Sequence, residues 1–205
     1  MIPMPRAHPW HGIPARAGAP DLFHAFIELV PGDTVKFEVD RSTGHLLLDR
    51  PQQYSSQCPA LYGFIPRTCC GNRVAHHCTD CGGENIEGDG DPMDICVLTE
   101  KHFAHGNCLV RARPIGGLRM VDRGQADDKL IAVLESDLAY GALRDLSECP
   151  ASLVERLQHY FLTHKQRPDE KPKVRLLGTY GRDEAYEMIA LSLLDYSDRW
   201  GDLRL

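Results

Sequence analysis

The sequence has no apolar run approaching the ~18 residues that a membrane-spanning helix needs, and its opening stretch, Met1-Ile-Pro-Met-Pro-Arg-Ala-His, has no continuous hydrophobic segment of the signal-peptide kind. It has no excess of basic residues. The formal net charge is −6, and aromatics make up 7% of the chain, a poor match to the basic, aromatic-lined groove of a single-strand nucleic-acid binder. No nucleophile elbow is present, which argues against serine-type acyl or phosphoryl transfer. Eight cysteines occur without a secretion signal, and read as thiols of a reducing cytoplasm rather than as a disulfide framework. Cys78 and Cys81 form a single CxxC near Cys69, Cys70, His76 and His77. A second CxxC or an HxxxH at standard spacing is missing, so structural Zn²⁺ is not expected there. The segment Cys69–Gly88 is rich in Gly, Asn and Asp and reads as a long insertion loop.

What is present is acid, placed in two clusters. Asp89-Gly-Asp-Pro-Met-Asp94 sets three carboxylates within six residues and runs into the apolar, strand-like Ile95–Leu98. Like charges this close call for a cation among them, and oxygen ligands suit a hard divalent ion. An EF-hand is excluded, because Met93 and Asp94 stand where that loop needs an acid and a glycine. The second cluster is Asp122-Arg-Gly-Gln-Ala-Asp-Asp-Lys129. Asp127 and Lys129 lie two apart and share a face of an extended chain, and a hairpin would bring Asp122 and Asp127 to one rim. If that rim meets the first cluster, five carboxylates converge, which requires several divalent ions. Lys36, Arg50, Lys129 and Lys165, with Tyr62, would supply the phosphate-binding charges and donors. Carboxylate-held metals ringed by Lys and Arg suit phosphoryl transfer to water.

With 205 residues and 42% hydrophobic content, the chain suits a single domain. Residues 1–22, rich in proline, read as an extended N-terminal arm lying on the surface or on a neighbouring subunit, and residues 23–205 as the domain. Strands are expected at Phe26–Val30, Thr34–Val39, His45–Asp49, Leu61–Pro66, Ile95–Thr99, Cys108–Pro114, Gly117–Asp122 and Lys129–Leu134, the second and third forming a hairpin about the turn Asp40–Gly44. Two helices follow. Ser152–His164 carries Leu153, Leu157, Tyr160 and Phe161 on one face, and Asp183–Tyr196 carries Tyr186, Ile189, Ala190 and Leu193. The pattern predicts a mainly β, α+β fold, a small closed barrel with helices on its side.

In order along the chain, Glu28, Lys36-Phe-Glu38, Asp49-Arg50, Tyr62-Gly-Phe-Ile-Pro66, Asp89-Gly-Asp-Pro-Met-Asp94, Arg113-Pro-Ile-Gly116, Asp122…Asp127-Asp-Lys129 and Lys165 resemble the soluble family-one inorganic pyrophosphatases. The resemblance covers roughly residues 26–170. It implies a five-stranded OB-like barrel and an Mg²⁺-dependent hydrolase that splits pyrophosphate into two orthophosphates by a metal-activated water, with Mn²⁺ as the alternative ion. It implies that Asp89, Asp94 and Asp127 hold one metal, with Asp94 bridging to a second. Asp122 and Asp127 would hold a third, Glu38 would support a fourth, and Glu28 would orient metal-bound water. Asp91 would be the general base. Lys36, Arg50, Tyr62 and Lys165 would grip phosphate, and Lys129 would tune the carboxylates or touch phosphate. A cytoplasmic homo-oligomer, a hexamer or a dimer, is also implied, with no nucleic-acid or membrane partner. The chain departs from the family pattern at Cys58, where a tyrosine is usual, at His164, where a tyrosine is usual, and at Arg123, where an acid is usual. His164 is expected to add pH dependence near 6.5, Arg123 to face outward, and Cys58 to be a candidate redox-sensitive residue. Two other classes remain open on the residues alone: a barrel that binds pyrophosphate without turnover, and an OB-type nucleic-acid binder.

Overall fold

The computed structural model describes residues 7–82, 85–167 and 169–201. Its strands are β1 (Phe23–Leu29), β2 (Val35–Val39), β3 (Leu46–Pro51), β4 (Leu61–Phe64), β5 (Glu87–Gly88), β6 (Asp94–Leu98), β7 (Cys108–Asp122), β8 (Gln125–Ala126), β9 (Lys129–Leu134) and β10 (Val174–Gly181). Its helices are α1 (Asn72–Gly82), α2 (Ala151–Thr163) and α3 (Arg182–Trp200).

Five strands pair in the order β1-β4-β6-β9-β7, and β7 pairs back to β1, so the ring closes. Closure removes the free edges an open sheet would leave. All the pairings in the ring are antiparallel except β6–β9. The ring is built on one long strand. β7 serves β1 with residues 108–112, β9 with residues 112–118, and β10 with residues 116–122. The sequence reads as two strands here because Pro114-Ile-Gly-Gly117 looks like a break. The chain instead stays extended and absorbs the irregularity as a register shift between Pro114 and Gly116. Gly117 lies against the ring of Tyr180, where a side chain would collide. The β2–β3 hairpin stands apart as its own two-stranded sheet.

Ile27, Leu61, Ile95, Val97, Leu130 and Ala132 are buried together in the largest core cluster, and Leu118, Met120, Ile131, Leu157 and Phe161 in a second. Helix α2 buries Leu157, Tyr160 and Phe161 as the periodicity predicts. On α3 the buried face is Ala185, Met188, Ile189, Ser192, Asp195 and Tyr196, rotated from the expected one, and Ala190 is exposed. Apolar periodicity alone misses Ser192, whose hydroxyl donates to the Ile189 carbonyl, and Asp195, whose carboxylate accepts from the Gly71 N–H. Strand β10 was not anticipated.

The expected loop at 69–88 is corrected: its centre is helix α1. The reason lies outside the segment. The Asp195 carboxylate on α3 accepts hydrogen bonds from the backbone N–H groups of Gly71, Arg73 and Val74, at 3.0–3.2 Å. It satisfies the first-turn donors that a local N-cap would otherwise serve. Val74, Ala75 and Cys78 then face the core. In the arm, Trp10 is buried, donates its indole N–H to the Thr68 carbonyl at 2.8 Å, and packs edge-on against Trp200. From Trp10 on, the arm thus lies on its own chain.

Candidate active site

One end of the barrel opens into a cavity of about 290 Å³. Both acidic clusters reach it. Asp89 and Asp91 come from the loop before β6, and Asp94 is the first residue of that strand. Asp122 ends β7. A tight turn follows in which Arg123 (φ 54°) and Gly124 (φ 86°) both adopt left-handed conformations, as a two-residue hairpin demands. That turn returns the chain so that Asp127 donates its N–H to the Met120 carbonyl at 2.9 Å and aims into the same space. Glu28 enters from β1, Lys36 and Glu38 from β2, Tyr62 from β4, Lys129 from β9 and Lys165 from the end of α2. Arg50 is the one predicted residue that does not line the cavity. It pairs with Asp49, and one of its guanidinium nitrogens, Nη2, is buried without a partner.

The cavity's positive groups are each committed to an acid. The ammonium of Lys129 bonds to both Asp94 and Asp127. Lys36 pairs with Glu38 and lies 3.5 Å from Asp49. Lys165 reaches Asp122 at 2.9 Å, and Arg41 pairs with Asp91. The Tyr62 hydroxyl donates to Asp94 at 2.6 Å. Burial alone would lower the Lys129 pKa, but Asp127 and Asp94 raise it further, so the buried side chain stays charged. Glu28 and Asp89 make no ion pair among the described residues. They are the two cavity carboxylates whose pKa values rise, Glu28 to about 8 and Asp89 to about 7, chiefly through desolvation. Glu28 still accepts one bond, from the Val39 N–H at 2.7 Å.

This donor set fits divalent cations. The carboxylates are hard oxygen ligands around one cavity, two of them too desolvated to ionise readily without added positive charge. Among the described residues no three cavity acids bring ligand oxygens within 4.8 Å of one another, and Lys129 fills the space between Asp94 and Asp127.

Two residues depart from expectation. His164 lines the cavity, but its pKa is lowered to about 3 by burial and then by Lys165, Arg50 and Lys129. It is therefore neutral near pH 6.5 and does not titrate there. Its Nδ1 lies 3.1 Å from the Tyr160 carbonyl and 3.2 Å from that of Phe161, so that nitrogen carries the proton. Arg123 faces outward as expected, its side chain 70% exposed, yet it also contributes to the cavity rim. Cys58 is buried, does not line the cavity, and has its thiol pKa pushed up to about 12 by desolvation. A thiol so protonated is a poor redox sensor.

Two contributors went unread in the sequence. Arg41, at the tip of the β2–β3 hairpin, reaches over the acids, and its guanidinium sits 6.0 Å from the Trp10 ring, which also lines the cavity. Arg41 looks like an ordinary turn residue, and nothing local says where the hairpin points.

Comparison with known proteins agrees with this geometry. The family model described as inorganic pyrophosphatase matches residues 25–197. The chain belongs to the inorganic pyrophosphatase family. Family membership makes it an enzyme, an inorganic diphosphatase. It is 49% identical over 200 residues to an inorganic pyrophosphatase of Chlamydia muridarum, covering 95% of this chain and 96% of that one. It is 37% identical to a soluble inorganic pyrophosphatase of Oryza sativa subsp. indica, over 82% of this chain and 70% of that one. The crystal structure of the inorganic pyrophosphatase from Thermus thermophilus superposes with a TM-score of 0.77 at 28% identity, covering 93% of this chain and 99% of that one. The closed ring described above is the OB-like fold that these structures share.

Proposed function

We propose that the chain hydrolyses inorganic pyrophosphate to two orthophosphates in this cavity, with Mg²⁺ held by Asp89, Asp94, Asp122 and Asp127 and supported by Glu38 and Glu28. The observation that carries the reading is the convergence of acids from two distant segments, with Arg41, Lys129 and Lys165 each paired to at least one of them. When bound, the metal ions neutralise phosphate charge and acidify water to a nucleophile at neutral pH. The chain's own residues do the rest. Lys36, Lys165 and Tyr62, with Arg50 behind them, bind and orient the two phosphates. The unpartnered Nη2 of Arg50 is buried outside the cavity lining, so Arg50 must turn from Asp49 to reach phosphate. Asp91 is the general base, and it pairs with Arg41. Lys129 bridges Asp94 and Asp127 and offsets their mutual repulsion.

The arrangement also supports a cytoplasmic homo-oligomer. All eight cysteines are free, and Phe37, Leu47 and Leu48 expose apolar surface on the β2–β3 hairpin. No helix among the described residues is long and apolar enough to cross a membrane.

The test is phosphate release from pyrophosphate by the purified protein with Mg²⁺. Asp94→Ala abolishes release if the reading is right. Absence of release from the unaltered protein across a range of pH values and divalent metals would refute it.

A further inference from the structure

Outside the acid cavity, helix α1 carries His77 and Cys81 four residues apart, so the two share one face. That face meets Glu184 and Glu187 on α3. His77 Nε2 lies 3.0 Å from Glu184 Oε1, and His77 Nδ1 lies 3.9 Å from Glu187 Oε1. Ligand atoms of His77, Cys81 and Glu184 all fall within 4.8 Å of one another, and no other trio of His, Cys, Asp or Glu among the described residues is so close. We infer that this α1–α3 junction is a second metal site, which takes a borderline-soft divalent ion such as Zn²⁺ or Co²⁺.

The chemistry separates this site from the catalytic one. Imidazole, thiolate and one carboxylate form a nitrogen–sulfur–oxygen set that suits Zn²⁺, whereas Mg²⁺ prefers oxygen alone. Bonds of about 2.0–2.3 Å to a tetrahedral ion place its ligands roughly 3.3–3.8 Å apart, so side-chain adjustment of about an ångström closes the trio. With metal on Nε2, the Nδ1–H of His77 points to Glu187, the second carboxylate that commonly fixes a ligating histidine. Thiolate and carboxylate together cancel the charge of a divalent ion. Arg119 pairs with Glu184 through the same oxygen as His77 does, which leaves Oε2 available. Three protein ligands leave a fourth position for water, and Cys81 is exposed, so ions can enter.

Occupancy would clamp α1 to α3. Just ahead of α1, Cys70 donates its N–H to the Asp91 carbonyl at 2.7 Å, so the clamp steadies the acidic loop without touching it. The sequence showed only the Cys-His half of this set; Glu184 lies about a hundred residues away and arrives by folding.

The experiment is a Co²⁺ titration of metal-stripped protein in excess Mg²⁺, followed by optical absorption. A thiolate-to-cobalt charge-transfer band should saturate at one equivalent. Oxygen ligands in the acid cavity cannot produce this band. Cys81→Ser should abolish it with the fold intact by circular dichroism, since that side chain is exposed. Cys149→Ser should leave it unchanged. Glu184→Gln and His77→Gln should each weaken Co²⁺ binding at least about tenfold. One equivalent of Zn²⁺ should raise the thermal midpoint of the unaltered protein and not that of Cys81→Ser. Absence of the band, or its survival in Cys81→Ser, overturns the site.

Discussion

Lys129 holds its ammonium between Asp94 and Asp127, one from the first residue of β6 and the other from the chain entering β9. Asp94 and Lys129 are partners in the parallel β6–β9 register, so the bridge is fixed by the barrel and not by loop chance. The ammonium thus sets a positive charge between two of the acids. Replacing it as Lys129→Met leaves two carboxylates facing each other without compensation. Removal of one partner from a buried ion cluster typically costs about 3–5 kcal/mol. We expect urea unfolding of Lys129→Met to show a loss of that order in EDTA. Part of it should return in Mg²⁺, because a divalent ion can occupy the position the ammonium held. Mg²⁺ should therefore stabilise the variant more than the unaltered protein. An equal Mg²⁺ increment in both would mean that Lys129 and the metal do not share this space.

Arg41 is a loosely held cavity cation. Its side chain is 56% exposed, and it reaches Asp91 from a hairpin tip. Exposed pairs contribute at most about 1 kcal/mol to stability, so Arg41→Ala should unfold at nearly the same urea concentration as the unaltered protein. Its effect belongs to substrate binding. An anionic substrate entering the cavity competes with Asp91 for the guanidinium, and a hydrogen bond to a charged group contributes about 1.5–3 kcal/mol. Steady-state kinetics should show KM for pyrophosphate raised about tenfold or more, with Arg41→Lys intermediate. A KM unchanged by Arg41→Ala would show that this arginine never leaves Asp91 for substrate.

The acids of the site were legible because their chemistry is written locally. Asp89, Asp91 and Asp94 crowd one turn, and the Asp122–Lys129 stretch has the length and glycine of a hairpin. Period-two alternation likewise marks β2, and short apolar runs with β-branched residues mark β6 and β9. What stayed hidden depends on partners far along the chain. Helix α1 needs the Asp195 carboxylate, and Arg41 needs the hairpin to lean toward Asp91. The buried face of α3 includes Ser192 and Asp195, which no count of apolar residues selects. The behaviour of His164 was hidden for the same reason. Its ordinary pKa follows from its type, but burial beside Lys165, Arg50 and Lys129 follows only from the fold.

That burial gives His164 a definite signature. Its pKa is near 3 in the folded protein and near 6.5 in the unfolded chain, so between these values the unfolded chain binds the extra proton. Stability from this residue is complete above pH 6.5 and falls as pH drops toward 3, by up to about 1.4 kcal/mol per pH unit. His164→Tyr removes the titrating group and keeps an aromatic ring. Urea unfolding at pH 7 and pH 5 should show a smaller acid loss in the variant than in the unaltered protein. Matching pH slopes in the two would place the acid sensitivity elsewhere.

Asp195 offers a test of how the fold supports the site from a distance. Its carboxylate is buried on α3, caps the first turn of α1 through three backbone N–H groups, and pairs with Arg73 at 3.1 Å. Ordinary N-cap loss costs about 0.5–2 kcal/mol. Here Asp195→Ala also leaves buried N–H donors unsatisfied, so a loss of about 2–4 kcal/mol is expected. Asp195→Asn keeps an accepting oxygen and should lose roughly half as much. The effect should reach the acidic loop, because the residues bonded to Asp195 adjoin Cys70, which bonds the Asp91 carbonyl, and Gly90 in turn donates to the Cys70 carbonyl at 3.0 Å. Hydrogen exchange of the Gly90 amide should quicken in Asp195→Ala relative to amides in β9, whose ladder partners are β6 and β7. Faster exchange throughout the chain by one common factor would show instead that Asp195 supports global stability alone.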